Sequence, residues 1–350
     1  MNLVKRLPRL QIAALGVLGL AVFVGCSETS DPYNRVNTLR VMAIRSEPAI
    51  PLPGETATYS ALVLAPDPAD PSLPDSTLTY EWTWCPFPGA ADDGYPCLLT
   101  DDLKKTLPAD VVNALPQEDL GTDPQAMLAN AVDPAILGAI CEGMGGNMGG
   151  LDCTGGFPVQ IKLVVKTATD EVKSVFRTRW GLKAEDANTN PTVDALDFVL
   201  KDTSTSMDAG AMDAGAPTVT KTLAIDETNS QKVALVRDEA NDLRLRDTLI
   251  DQSETYMGLN DQIPPLPATL KERLFVSWFV ESGNTDEMST GYIPDKTTKD
   301  IFLKNAWTPG TTKKYPRDTS RIFLVIRDNR AGVGWYQGLV NLTAASSTTP

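Results

Sequence analysis

Two stretches decide the fold: Leu78-Thr79-Tyr80-Glu81-Trp82-Thr83-Trp84 and Leu274-Phe275-Val276-Ser277-Trp278. Both alternate with period two. Leu78, Tyr80, Trp82 and Trp84 fall on one face of the first, and Leu274, Val276, Trp278 and then Val280 on one face of the second. Alternation of this kind marks a strand with one face buried. In each stretch a Trp follows a Leu by four residues on the same face. Further along the chain each stretch is followed by two strand-like runs joined by a polar turn. These are Val159 to Lys166 with Val172 to Leu182, and Arg321 to Ile326 with Val333 to Leu342.

A strand carrying a large inward indole, closed by a hairpin and repeated once, predicts two layers of antiparallel sheet per unit. Short strands separated by Pro/Gly turns suit immunoglobulin-like β-sandwiches. The expected class is mainly β, with two such sandwiches in tandem. The first runs over 38–184 and the second over 193–343, joined by a linker at 185–192. Leu39 to Ile44 and Thr56 to Leu64 supply further strands of the first unit, with Ala57, Tyr59, Ala61 and Val63 on one face. Val193 to Leu200 and Lys232 to Val236 do so in the second. The Asp-Ala-Gly repeats in 202–217 read as a low-complexity loop that cannot build a core, and 344–350 as a tail.

Residues 86–158 read as an insertion that is partly helical. Asp123-Pro124 and Asp133-Pro134 each look like an N-cap followed by Pro at the first helical position. Met127, Leu128, Ile136, Leu137 and Ile140 then fit short amphipathic helices. Gly145 to Gly150 lacks the Gly-Lys-Ser/Thr ending of a phosphate loop and reads as a hinge or loop tip.

The N-terminus carries an address. Lys5, Arg6 and Arg9 precede an uncharged apolar run from Ile12 to Val24. That run suits a signal-peptide core and is short for a membrane span, which needs ~20 residues. It ends in Phe23-Val24-Gly25-Cys26, which resembles the lipobox of bacterial lipoproteins. The resemblance implies a signal peptide over 1–25, cleavage before Cys26, acylation of Cys26, and a tether over 26–37. It implies attachment to a membrane through those acyl chains. Several chains make a firm anchor, since each buried CH₂ contributes ~0.8 kcal/mol. Ser27, where enterobacterial retention uses Asp, implies the outer membrane.

The composition has 31 Lys+Arg, 45 Asp+Glu and no His, a net charge of −14. Loss of a leader holding three basic residues takes it from −14 to −17. Such a chain repels phosphate backbones, so no nucleic-acid partner is expected. Without His there is no Ser–His–Asp or Cys–His pair and no His-ligated zinc. Cys85 and Cys97 are twelve positions apart, as are Cys141 and Cys153. In an exported chain these four read as two disulfides. Three pairings are open, and the two local bridges are the first choice. The spacing is far from the C-x₂₋₄-C of zinc sites, so no metal and no cofactor is assigned.

The order of these features resembles lipoproteins of large-genome Gram-negative bacteria that carry Ig-like or PKD-like domains. The resemblance rests on Leu39 to Ile44 with Pro48, Pro53-Gly54-Glu55-Thr56, Tyr80 to Pro86, and Ile326 to Trp335. It implies a fold and a location at the cell envelope, not an activity. The role expected of such a chain is non-enzymatic (binding, adhesion or structural), with a protein or glycan partner at the envelope. Asp186-Ala187-Asn188-Thr189-Asn190-Pro191 is similar to the calcium-binding linker of cadherins, but a polar linker of turn-forming residues is the reading adopted. Trp335-Tyr336, Trp307 and Tyr292 could form an aromatic platform, which would make the chain a carbohydrate-binding module if exposed, but strand aromatics are more often core, and that is the reading adopted. Two close buried carboxylates in a pocket would instead suggest a hydrolase. No G-x-S-x-G or S-x-x-K motif is present, so no catalytic residue is named.

Overall fold

The computed structural model describes residues 33–65, 77–87, 89, 96–106, 109–144, 153–201, 218–226, 228–260, 262 and 266–344. The leader, Cys26, the loops at 66–76, 145–152 and 202–217, and the last residues of the tail lie outside them. The chain divides into Met1–Tyr33 and Asn34–Pro350, and every described strand and helix belongs to the second part.

The first half contributes β1 (Arg40–Glu47), β2 (Thr56–Leu64), β3 (Thr79–Cys85), β4 (Asp119–Gly121), β5 (Gln125–Ala129), β6 (Phe157–Lys166) and β7 (Glu171–Trp180). They form two sheets, β1-β2-β5 and β4-β3-β6-β7. Between β3 and β6 lie the helices α1 (Asp101–Thr106), α2 (Ala109–Ala114) and α3 (Pro134–Met144). The second half contributes β8 (Ala195–Lys201), β9 (Thr218–Ala224), β10 (Ala234–Val236), β11 (Asn241–Arg244), α4 (Thr248–Asp251), β12 (Thr255–Leu259) and β13 (Pro267–Lys271). It continues with β14 (Leu274–Val280), β15 (Asn284–Thr285), β16 (Ser289–Tyr292), α5 (Lys299–Leu303), β17 (Lys304–Thr308), β18 (Thr319–Asp328) and β19 (Val333–Thr343). Its sheets are β15-β17-β11-β8-β9 and β10-β19-β18-β14-β16, with β12 and β13 as a separate hairpin.

Strand order identifies the class. An immunoglobulin-like sandwich places a C-F-G sheet against an A-B-E-D sheet. In the first half β3-β6-β7 is C-F-G and β1-β2-β5 is A-B-E. In the second, β14-β18-β19 is C-F-G and β8-β11-β17-β15 is A-B-E-D. The duplicated Trp sits on strand C both times: Trp82 lies opposite Leu163 of β6, and Trp278 opposite Leu324 of β18. Both indoles are fully buried. Each Nε1–H finds an acceptor, Asp123 O at 2.9 Å and Thr290 Oγ1 at 3.1 Å, as a buried indole requires.

Three apolar clusters order the sheets. Ala57, Tyr59, Trp82, Leu128, Ile161 and Trp180 fill the first sandwich, and Phe198, Leu243, Trp278, Trp307, Leu324 and Tyr336 the second. A third cluster joins them: Met42, Ala43, Leu62 and Leu64 of β1 and β2 meet Phe279, Phe323, Val325 and Val333. Period-two alternation therefore serves two cores at once. Ile322, Leu324 and Ile326 of β18 point into the second sandwich, while Phe323 and Val325 between them point at the first. The two central sheets are covered on both faces, which explains the unbroken apolar run Ile322 to Ile326.

Four expectations need correction. Residues 125–129 are a strand, not a helix. Asp123-Pro124 starts a turn, after which Ala126 and Leu128 are buried while Met127 is exposed. Pairing of β5 with β2 wins over local helix propensity. The segment 86–158 is therefore no mere insertion, since it supplies strands C′ and E; Asp133 does cap α3, accepting from Ala135 N at 2.8 Å. Lys232 to Val236 is reduced to β10 behind a 3₁₀ turn and runs parallel to β19. The second strand of that unit is β11, whose short polar sequence hides it. Finally, Asn34–Val36 is no loose tether: Val36 N donates to Val280 O and Val280 N to Asn34 O, each at 2.9 Å.

Both disulfides take the local pairing, Cys85–Cys97 and Cys141–Cys153. The first ties the end of β3 to the approach to α1, where Phe87 and Leu99 enter the sandwich core. The second ties α3 to the start of β6.

Candidate functional site: the junction of the sandwiches

The linker lies buried in the junction. It starts with a 3₁₀ turn at Ala184–Asp186, and Asp186, Asn188 and Asn190 are all buried. Asp186 Oδ2 accepts from Leu182 N at 2.8 Å and Lys183 N at 3.2 Å. Asn190 joins the halves directly. Its Nδ2 donates to Ser46 O at 2.7 Å and Glu47 Oε2 at 2.9 Å in the first sandwich, and its Oδ1 accepts from Val333 N at 2.8 Å in the second. A buried Asn with its donors and acceptor engaged fixes orientation as well as position.

Arg330, in the β18–β19 turn, is the hub. Its Nη2 donates to Asp186 O at 3.0 Å and Ala187 O at 2.6 Å, and its Nη1 faces Asn188 Oδ1 at 3.5 Å and Glu272 Oε1 at 3.2 Å. Glu254 Oε2 stands 3.6 Å from the same nitrogen. Of the linker side-chain oxygens that suggested a calcium site, Asn188 Oδ1 faces this guanidinium, while those of Asp186 and Asn190 accept backbone N–H groups. Among the described residues no group of three or more acidic, His or Cys side chains is arranged to hold a metal ion.

The turn is shaped for this. Ala331 takes a left-handed φ of 75°, and Arg330 N and Gly332 N both donate to Asp328 Oδ1, at 2.7 and 2.8 Å. Asn188 Nδ2 donates to Asp328 Oδ2 at 2.9 Å. The glycines near Trp335 have a steric reason. A methyl on Gly332 would collide with the Asp328 carboxylate, and one on Gly334 with the Pro191 carbonyl of the linker. Hydrophobic patterning could not reveal that clash.

Charge in the cluster is unbalanced. Glu272, Asp328 and Glu254 share one guanidinium. Burial pushes the Glu272 carboxyl up to about 7, helped by repulsion from Asp328 and Glu254 and opposed by a hydrogen bond from Glu254 N and by Arg330. Burial also raises Asp328, against the hydrogen bonds it accepts from Asn188, Arg330 N and Gly332 N. These are the close buried carboxylates that would suggest a hydrolase, but their oxygens are engaged. Glu272 Oε1 faces Arg330 and its Oε2 accepts from Glu254 N at 2.9 Å, while Asp328 accepts through both of its oxygens.

The aromatics considered for a platform are largely core, as expected. Trp307 and Tyr336 are fully buried in the second core, with Trp307 Nε1 donating to Ser282 O at 2.7 Å and Tyr336 OH to Leu223 O at 3.1 Å. Tyr292 packs on Phe302 with ring centroids 5.7 Å apart. Trp335 is half-buried at the inter-sandwich cluster, with the Arg45 guanidinium 4.2 Å above its ring. Strand position accounts for this: an aromatic facing a second sheet becomes core.

Beside the hub lies a cleft of about 240 Å³ between the sandwiches. Ile50, Thr154, Gly155 and Arg179 line one side and β12 the other, with Asn329 and Arg330 between. Asn329 Nδ2 donates to Tyr256 OH at 2.6 Å, and Arg330 stands 4.9 Å above the Tyr256 ring.

The fold and junction together define a tandem immunoglobulin-like protein whose two sandwiches are bonded to each other. No protein-family model matches this chain, and no curated protein does. Among solved structures, the three N-terminal domains of the bacteriophage RB49 Highly Immunogenic Outer Capsid protein (Hoc) are similar at 9% identity. That likeness covers 88% of this chain and 99% of that one, with a TM-score of 0.20. A chimeric titin Z1Z2-Z1Z2 tandem is similar at 11% identity over 90% and 100%, with a TM-score of 0.22. Extracellular domains 3–5 of Drosophila OTK are similar at 10% over 90% and 98%, with a TM-score of 0.17. Scores this low add nothing to the assignment, which rests on strand order.

Proposed function

We propose that the chain is a lipid-anchored cell-envelope protein, held at the outer membrane through acyl chains on Cys26, with a binding or structural role and no catalytic one. The observation that supports a non-catalytic role is the closed junction. The buried carboxylates that could do acid–base work are tied to Arg330, Asn188 and backbone N–H groups, which makes them parts of a joint between sandwiches. The attachment reading rests on Val24-Gly25-Cys26 after an uncharged apolar run. Ser27 favours the outer membrane, and a net charge of −14 disfavours nucleic acid.

The test is metabolic labelling of the full chain with an alkyne fatty acid, followed by detergent phase partitioning. The label should enter the native chain, be lost in Cys26→Ala, and carry the protein into the detergent phase. An unlabelled native chain in the aqueous phase would overturn the anchoring.

A further inference from the structure

Among the described residues the β12–β13 hairpin pairs with no other strand. Its register is fixed by Glu272 N donating to Glu254 O at 2.8 Å and Asn260 N donating to Leu266 O at 2.9 Å. In an antiparallel ladder only alternate residues turn their N–H and C=O toward the partner strand. The even-numbered residues of β12 therefore face β13, and Met257 and Leu259 turn their backbone groups the other way. That edge borders the inter-sandwich cleft: Tyr256, Met257, Gly258 and Leu259 line it and no residue of β13 does.

An unpaired strand edge along a cleft offers a ladder to an extended chain. Three extended residues, at ~3.4 Å each, would match both Met257 and Leu259. The side chains of Met257 and Leu259 are 58% and 48% exposed and share one face, so apolar residues at alternate positions of an added strand would cover them. The intervening side chain would point to the other face, where Tyr256 meets Arg330 and Asn329. Among the described residues the cleft lining holds Arg179 and Arg330 and no carboxylate, in a chain that is otherwise strongly acidic. The two guanidinium groups give this lining a positive charge, which complements acidic side chains on an added strand; Arg179 is itself positioned by its Nη1 donating to Gly156 O at 3.0 Å.

We infer that the cleft takes an extended segment of a partner polypeptide, which adds to β12 as a third strand and alternates apolar with acidic side chains. This deepens the binding role proposed above by naming the class of partner.

The probe is fluorescein-labelled Val-Asp-Val-Asp-Val, capped at its C-terminus and titrated into the full chain by anisotropy. N-methylation of the three valines removes the donors on the pairing edge and should weaken binding about tenfold or more. The same change on the aspartates, which face outward, should not. Met257→Pro removes a cleft-facing N–H that the hairpin ladder does not use, so the hairpin survives and the peptide should bind about tenfold more weakly. Arg179→Gln should reduce the preference over Val-Asn-Val-Asn-Val. No binding of the peptide, or binding that neither valine methylation nor Met257→Pro alters, would overturn the inference. Fatty-acid labelling is read separately, so either failure is distinguishable from the other.

Discussion

Replacing Arg330 with Met tests the junction most severely. The change keeps an unbranched side chain and removes the guanidinium bonded to Asp186 O, Ala187 O and Glu272 Oε1. Removing one partner of a buried ion pair leaves an uncompensated charge and costs about 3–5 kcal/mol. Two orphaned carbonyls add to this, though not additively. The loss expected at pH 7 is therefore about 3–5 kcal/mol, measured by urea unfolding with linear extrapolation. Its pH dependence separates charge from packing. At pH 5 Glu272, whose carboxyl is raised to about 7, holds its proton, so the charge part fades and the loss should shrink toward that of the missing hydrogen bonds. Adding Glu272→Gln to Arg330→Met should recover about 1 kcal/mol or more at pH 7. A loss under about 1 kcal/mol, or one equal at both pH values, would mean that the guanidinium holds no charge in place.

Glu272→Gln alone should change the pH profile. A carboxyl raised to about 7 when folded holds its proton where the unfolded chain has lost it. Native stability is therefore fully supported by this group below about pH 4.5 and is lost as pH rises toward 7, by at most about 1.4 kcal/mol per unit. The variant should gain on the native protein across that window in urea titrations, and parallel profiles would refute the shift. Gly334→Ala should cost about 1–3 kcal/mol through the clash with Pro191 O; a neutral change in melting would show that the linker does not press on β19. Trp82→Ala and Trp278→Ala should each cost about 3–5 kcal/mol, because the two indoles occupy the same place in duplicated sandwiches; a much cheaper loss at one would break that equivalence. Reducing the disulfides should lower stability by roughly 2–4 kcal/mol per bridge, chiefly in the first sandwich, read by hydrogen exchange at β3 and β6.

Much of the fold was legible because it depends on alternation. The strand carrying Trp82, the hairpin from Phe157 to Trp180 and that from Thr319 to Thr343 all show their buried faces in sequence. Strands defined by their neighbours were not legible. Residues 125–129 follow an Asp-Pro that resembles a helix start, and only the edge of β2 makes them a strand. β11 and β17 are short and carry Asn, Asp, Arg and Lys. The junction was half legible. The linker oxygens look like a ligand set in sequence, but Asn188 Oδ1 and the carbonyls of Asp186 and Ala187 face Arg330, well over a hundred residues away, and Asn190 Oδ1 takes Val333 N instead. A signal lay in Gly332 and Gly334, two glycines beside a turn and a strand that has no conformational need for the second. The free edge of β12 leaves no trace in hydropathy, because an unpaired row of backbone groups has no side-chain pattern of its own.

The most direct measurement is the distance distribution between spin labels on Ala168→Cys, in the exposed β6–β7 turn, and Ala240→Cys, exposed before β11. Two sandwiches joined by Asn190, Arg330 and the Phe323–Leu62 cluster should give one narrow peak, broadened by Arg330→Met. A broad or divided distribution in the native protein would mean that the halves swing about residues 185–192 and that the bonds across them do not hold in solution.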